Sequence, residues 1–236
     1  MKRISYILLL ALCPHIISQH NVYLGINAGI AGIVAKRDDY TINNSPFHKD
    51  LADNKAINNK SGLVGIFIGY LFRFQNFGAA TELFAEYENL ESNVEEKYHD
   101  NVAGDDNSVQ IRYKLTGPFG MNFKIGYFLC DNFLYALFGW QKQKLRYQAN
   151  LTNAPVINVV SQFAQTKNKY INGINLGLGF QRPINENYLI GLEFKVSKAS
   201  SRNFETDFKD NFETKLFSSL KSIKTYSCCL RFMYTF

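Results

Sequence analysis

Apolar and polar residues alternate one for one along most of this chain. Within residues 62–74, Val64, Ile66, Ile68, Tyr70, Phe72 and Phe74 share one face, while Leu63, Gly65, Phe67, Gly69, Leu71 and Arg73 share the other. A period of two over this length predicts a β-strand, since an amphipathic helix needs spacings of three and four. The same alternation runs through residues 119–127, 174–181, 188–197 and 226–236, and less cleanly through 21–35, 79–89 and 134–147. Eight strands are therefore expected. Pro118 falls inside the fourth, and a residue that cannot donate to the ladder predicts a bulge or kink there.

The connections alternate in length. Residues 75–78, 130–133 and 183–187 read as short turns, whereas 36–61, 91–108, 149–168 and 199–222 read as long loops rich in Asn, Asp, Lys and Ser. Short turns on one rim and long loops on the other is the layout of an outer-membrane barrel. A soluble lipocalin-like barrel also has eight up-and-down strands, but its apolar residues face inward. Here the more polar face is rich in glycine (Gly65, Gly69, Gly126, Gly177, Gly179, Gly191), a poor strand surface in water but a workable lining for a narrow lumen. The opposite face carries almost no charge over the strand centres, as lipid contact requires. Tyr70, Phe72, Phe74, Tyr127, Tyr188, Phe232, Tyr234 and Phe236 gather near the short-turn ends, as an interfacial girdle would.

The hairpins around Ile68-Gly69-Tyr70, Ile125-Gly126-Tyr127 and Gly177-Leu178-Gly179-Phe180, with the closing Leu230-Arg231-Phe232-Met233-Tyr234-Thr235-Phe236, resemble the OmpA-like and opacity-type outer-membrane barrels. The resemblance covers residues 21–236. It implies that Leu230, Phe232, Tyr234 and Phe236 form the terminal signal read by the barrel-assembly machinery. With the chain closing at Phe236, the peptidoglycan-binding domain of full-length OmpA relatives is expected to be absent.

Composition sharpens this picture. The chain has 236 residues, 46% hydrophobic and 15% aromatic, with a mean hydropathy of −0.18, which suits neither a disordered chain nor a bundle of membrane helices. Met1-Lys2-Arg3 is a basic start, Ile4 to Leu12 an apolar run, Pro14 a breaker, and Ile16-Ile17-Ser18 a cleavage context. Together they predict a signal peptide over residues 1–18 and a barrel domain over 21–236. Lipoprotein processing at Cys13 is a weaker reading, because the bulky Leu12 precedes it. The net charge is +6, of which Lys2 and Arg3 supply two, and the remaining cations interleave with acids instead of forming a nucleic-acid stripe. Cys228 and Cys229 are neighbours on a strand and point apart, Cys130 falls in a turn, and no histidine lies near a cysteine, so neither a disulfide framework nor zinc is expected.

Charge reappears on the lumen face at Glu82, Glu86, Lys124, Glu193, Lys195 and Arg231, with Arg73 nearer the rim. Counted from the short turns, Glu82, Lys124, Glu193 and Arg231 lie at similar depth. Unpaired buried charge costs several kcal/mol, so two acids and two bases at one level suggest a network. Such a network serves as a plug that fixes the barrel or as a gate on a narrow path. The resemblance implies a comparable interior cluster. No nucleophile with a nearby base appears: His15 and His20 lie at the start, His48 and His99 in different loops. The sequon at Asn150 and the acids Asp105 and Asp106 read as ordinary loop residues.

The sequence therefore predicts an eight-stranded antiparallel up-and-down transmembrane β-barrel in the bacterial outer membrane, without cofactor, metal or enzymatic activity. Its expected role is structural or adhesive, through loops carrying Phe47, Tyr98, Val156, Ile157, Val159, Val160, Phe163, Phe208, Phe212 and Phe217. Expected partners are outer-membrane lipid, the assembly machinery and an external surface or protein. The rival is a small passive porin with a charge-gated lumen, favoured if parts of 149–168 or 199–222 supply ninth and tenth strands.

Overall fold

The computed structural model describes residues 18–42, 48–100, 105–154, 161–207 and 215–236, and all of its regular structure is β. The strands are β1 (Ser18–Ile42), β2 (His48–Phe74), β3 (Phe77–Asp100), β4 (Asp105–Leu129), β5 (Asn132–Ala154), β6 (Ser161–Pro183), β7 (Tyr188–Ala199), β8 (Arg202–Asp207) and β9 (Lys215–Thr235). Each of β1 to β7 pairs antiparallel with the next, β7 pairs with β9, and β9 returns to β1, so the sheet closes as a ring. Closure leaves the strands of the ring without an open edge.

The barrel has eight positions around its ring, and the seventh is interrupted. β7 and β8 both lie along β9 in one register, Lys198 opposite Lys224 and Arg202 opposite Leu220, so they form a single strand broken at Ser200 and Ser201. Above the break the wall changes character. The last backbone bond from this strand to β6 runs from Ser200 N to Asn172 O, at 3.0 Å. Beyond it, side chains of β6 reach the β8 backbone: Lys169 donates to Asn203 O at 2.8 Å, Lys167 to Glu205 O, and Gln165 to Asp207 O at 2.5 Å.

The up-and-down ring is the expected fold, with corrections to its extent. The third strand begins at Phe77, inside the expected turn. The four long loops are mostly strand: β1 and β2 reach Ile42 and His48, β3 and β4 reach Asp100 and Asp105, and β5 and β6 reach Ala154 and Ser161. Among the described residues these segments lengthen existing strands and supply no ninth and tenth ring positions. Of the apolar loop residues, Tyr98, Phe163 and Phe217 fall on strands, while Phe47, Val156, Ile157, Val159, Val160, Phe208 and Phe212 lie outside the described residues, as does the expected leader up to residue 17.

Register explains the lengthening. The pairing of β4 shifts between Thr116 and Phe119 against β5, around Gly117 with its φ of +62° and Pro118. A glycine supplies that left-handed step cheaply, and proline needs a gap in the ladder. The shift exchanges the faces of β4. Below it Asn122 and Lys124 point inward, and above it Val109, Ile111, Tyr113 and Leu115 do. A similar exchange occurs on β9, where Ser222 has a φ of +50°.

Candidate functional site

The interior is stacked in three layers. At the short-turn end lies an aromatic floor that includes Tyr23, Phe67, Phe84, Phe128, Phe133 and Tyr135. Cross-strand glycines make room for it. Tyr23 faces Gly69, and Tyr135 faces Gly179, where a Cβ would sit 2.3 Å and 2.2 Å from the respective ring carbons. The rings therefore lie against bare backbone, which accounts for the glycines at positions 69 and 179.

On this floor rests the ionic layer. Lys124 Nζ lies 2.8 Å from Glu82 Oε2 and 3.0 Å from Glu193 Oε2, and Arg231 binds the same two carboxylates. Each cation thus bridges both acids. The floor supplies the remaining partners: Tyr23 donates its phenol to Glu82 at 3.1 Å and Tyr135 to Glu193 at 2.8 Å. The cations also bed on rings, Arg231 lying 3.7 Å from the Phe67 centroid and Lys124 4.8 Å from that of Tyr135. A second pair sits beside the first, with Lys195 Nζ 2.8 Å from Glu86 Oε2 and 4.4 Å from the Phe84 ring.

All six charged residues singled out in the sequence are buried, and the structure brings Glu82, Lys124, Glu193 and Arg231 into contact as one cluster. Arg73 stays at the rim, stacked 4.2 Å from the Phe128 ring. Sequence reasoning missed the neutral part of this layer. Asn27 donates to Glu86 at 2.9 Å, Gln143 to Glu88 at 2.5 Å, and Asn175 to Asn122 at 3.1 Å. The signal was present, because these amides occupy the same inward parity as the charges. Glu82, Glu86, Glu88 and Glu193 each accept a bond from a cation or an amide.

The third layer caps the polar one. It includes Ile33, Leu63, Leu90, Val109, Ile111, Tyr113, Leu115, Leu145, Tyr147, Ile171, Phe204, Leu216 and Leu220, all fully or nearly fully buried. Phe204 of β8 stacks on Tyr147 with centroids 4.5 Å apart and planes 11° from parallel. Outside, the surface has two zones. Around the ionic layer and floor it is apolar, with Ile26, Ile66, Leu83, Ile125, Leu178 and Leu230 all about half exposed or more. Around the cap it is polar, with Lys36, Arg112, Lys144 and Arg146 exposed. Leu230, Phe232 and Tyr234 point outward on the last strand and Phe236 just past its end, and Tyr234 and Phe236 meet edge to face at 5.0 Å.

No protein-family model matches the chain, and no curated protein is similar to it. Among solved structures it is similar to the attachment invasion locus protein Ail of Yersinia pestis, with 12% identity, a TM-score of 0.35, and coverage of 91% of this chain and 98% of that one. It is also similar to the outer membrane protease OmpT of Escherichia coli (10% identity, TM-score 0.48, coverage 92% and 97%). The outer membrane protein OprG of Pseudomonas aeruginosa gives 13% identity, a TM-score of 0.46, and coverage of 92% and 96%. No residue assignment passes from these proteins to this chain.

Proposed function

We propose that the chain is a bacterial outer-membrane barrel that acts as a surface-exposed structural or adhesive protein instead of a conducting pore. The observation that carries this reading is the filled interior. An aromatic floor, a paired ionic layer and an apolar cap succeed one another along the axis, and the cap side chains are almost wholly inaccessible. Eight ring positions leave an interior that side chains can fill. In this reading Glu82, Glu86, Lys124, Glu193, Lys195 and Arg231 are the plug that fixes the barrel. A small porin gated by the same charges remains the rival, but its gate would have to part the apolar cap as well as the ion pairs.

The apolar outer belt supports insertion in a membrane, since contiguous exposed apolar surface of this extent is otherwise an aggregation hazard. Residues 1–18 serve as the export signal, and Leu230, Phe232, Tyr234 and Phe236 as the signal for assembly. The polar extension then stands outside the cell and offers its strand faces and tips to an external partner. The engagement of every named interior acid by a cation or amide supports a non-enzymatic role.

Planar-bilayer recording of the refolded chain tests the reading, after a heated-versus-unheated gel shift has established the closed barrel. Silence is expected. Reproducible steps that change in Glu193→Ala would replace the plug by the gated porin.

A further inference from the structure

The outer face carries a groove of about 360 Å³ that runs across β7, β9, β1 and β2 where the apolar belt meets the polar extension. Short side chains make it. Gly32 and Cys228 form its floor, with Ile30, Val34, Phe194 and Tyr226 as its walls. Space at Gly32 is genuine: a Cβ there would meet only Asn59 O at 3.4 Å and Lys60 Cγ at 3.8 Å.

Three exposed lysines stand at the polar end of this groove. Lys60 lines it and pairs across the ladder with Gly32, and Lys224 pairs with the wall residue Val34. Lys198 pairs directly with Lys224, so two like charges face each other on the outer surface. Directly opposite residues have Cβ atoms about 5 Å apart, and like charges there are unfavourable. Arg112 and Lys221 on the same extension are matched by carboxylates, Arg112 by Glu91 and Lys221 by Asp38. None of Lys60, Lys198 and Lys224 meets a carboxylate among the described residues. An apolar trough ending in uncompensated cations at the membrane boundary is complementary to one kind of molecule.

We propose that this groove is a specific site for an anionic, phosphate-bearing membrane lipid. One acyl chain lies over Gly32 and Cys228, and the phosphate is shared by Lys60, Lys198 and Lys224. The site rests on the outer-membrane reading above and adds to it a bound lipid that is distinct from the general annulus. The phosphate relieves the Lys198–Lys224 repulsion, and the belt supplies the chain's apolar seat.

Native mass spectrometry of the full chain in dodecyl maltoside, titrated with phosphatidylglycerol or phosphatidylcholine, tests the site. One phosphatidylglycerol is expected to be retained at least tenfold more tightly than phosphatidylcholine. Lys60→Gln/Lys198→Gln/Lys224→Gln should abolish that preference, and the corresponding triple arginine variant should keep it. Gly32→Leu, which fills the trough from outside, should weaken retention of both lipids severalfold. Inorganic phosphate at the same concentration should not displace the lipid. Equal retention of the two lipids, an unaffected glutamine variant, or displacement by phosphate alone would each overturn the proposal. Release of the chain from membranes by carbonate would overturn the outer-membrane reading itself. A chain that stays embedded without lipid preference overturns only this site.

Discussion

Strand β4 has two halves that obey the same rule with opposite results. Below Gly117 and Pro118 its exposed residues include Phe119, Phe123, Ile125 and Tyr127, and it buries Asn122 and Lys124, with Phe128 at the floor. Above them it buries Val109, Ile111, Tyr113 and Leu115, while Arg112 is exposed. In the outer-membrane reading proposed above, each half matches its outer face to its surroundings, lipid below and water above, and the interior takes what is left. The lower half therefore holds its centre with charge pairs and hydrogen bonds that rest on the aromatic floor, while most of its other apolar residues face outward. The upper half is held together as a water-soluble barrel is, by apolar burial. The bulge lets one strand serve both, since a shift of one residue exchanges its faces.

The comparison breaks most sharply at the ionic layer. Arg231→Leu leaves Glu82 and Glu193 with Lys124 as their only common cation, and removing one partner of a buried pair costs about 3–5 kcal/mol. Urea unfolding of the refolded barrel should show that loss, and the charge-balanced Glu193→Leu/Arg231→Leu should recover much of it. Equal losses in the single and double variants would mean that the cluster is not coupled. In the upper half, Leu145→Ala removes a fully buried side chain from the cap, at a cost of about 2–5 kcal/mol. Limited proteolysis should nick the extension while the heat-modifiable lower barrel persists.

Smaller effects sharpen the division between the two outer surfaces. Ile66→Lys places a charge in the apolar belt and should destabilise the barrel by about 2–4 kcal/mol in bilayers. Lys144→Ile, on the exposed face of the extension, should stay within about 0.5 kcal/mol. Comparable losses for the two would erase the distinction. Lys169→Met removes one of the side-chain bonds that tie β8 to β6, worth about 1 kcal/mol. Amide exchange at residues 202–207 should accelerate severalfold, with the β7 amides unchanged.

The lower half was legible in the sequence because its two faces differ so strongly. Aliphatic positions with no charge between them, alternating with glycines and a few acids and bases, fix both strand and orientation. The depth of Glu82, Lys124, Glu193 and Arg231 followed from counting along each strand from the short turns. That each cation bridges both acids did not, since it depends on how the strands stagger around the ring. The upper half was misread as loops for a physical reason. Its outward positions carry the Asn, Lys, Arg and Gln expected of a water-facing sheet, and these residues dominate the composition of such segments. The alternation Val109-Gln110-Ile111-Arg112-Tyr113-Lys114-Leu115 carried the correct signal at period two. The break at Ser200 and Ser201 left no comparable mark, because two serines fit a strand, a bulge or a turn equally well.

The exchange of faces along β4 is the central claim, and single-cysteine labelling down that strand tests it most directly. In a background lacking Cys13, Cys130, Cys228 and Cys229, a fluorophore is placed in turn at positions 110, 112, 114, 119, 123 and 125. Each label is then quenched by a spin-labelled lipid or by a water-soluble quencher. Lipid quenching is expected at 119, 123 and 125 and aqueous quenching at 110, 112 and 114, with the switch falling at Gly117 and Pro118. Lipid quenching that continued through 114, 112 and 110 would contradict the account.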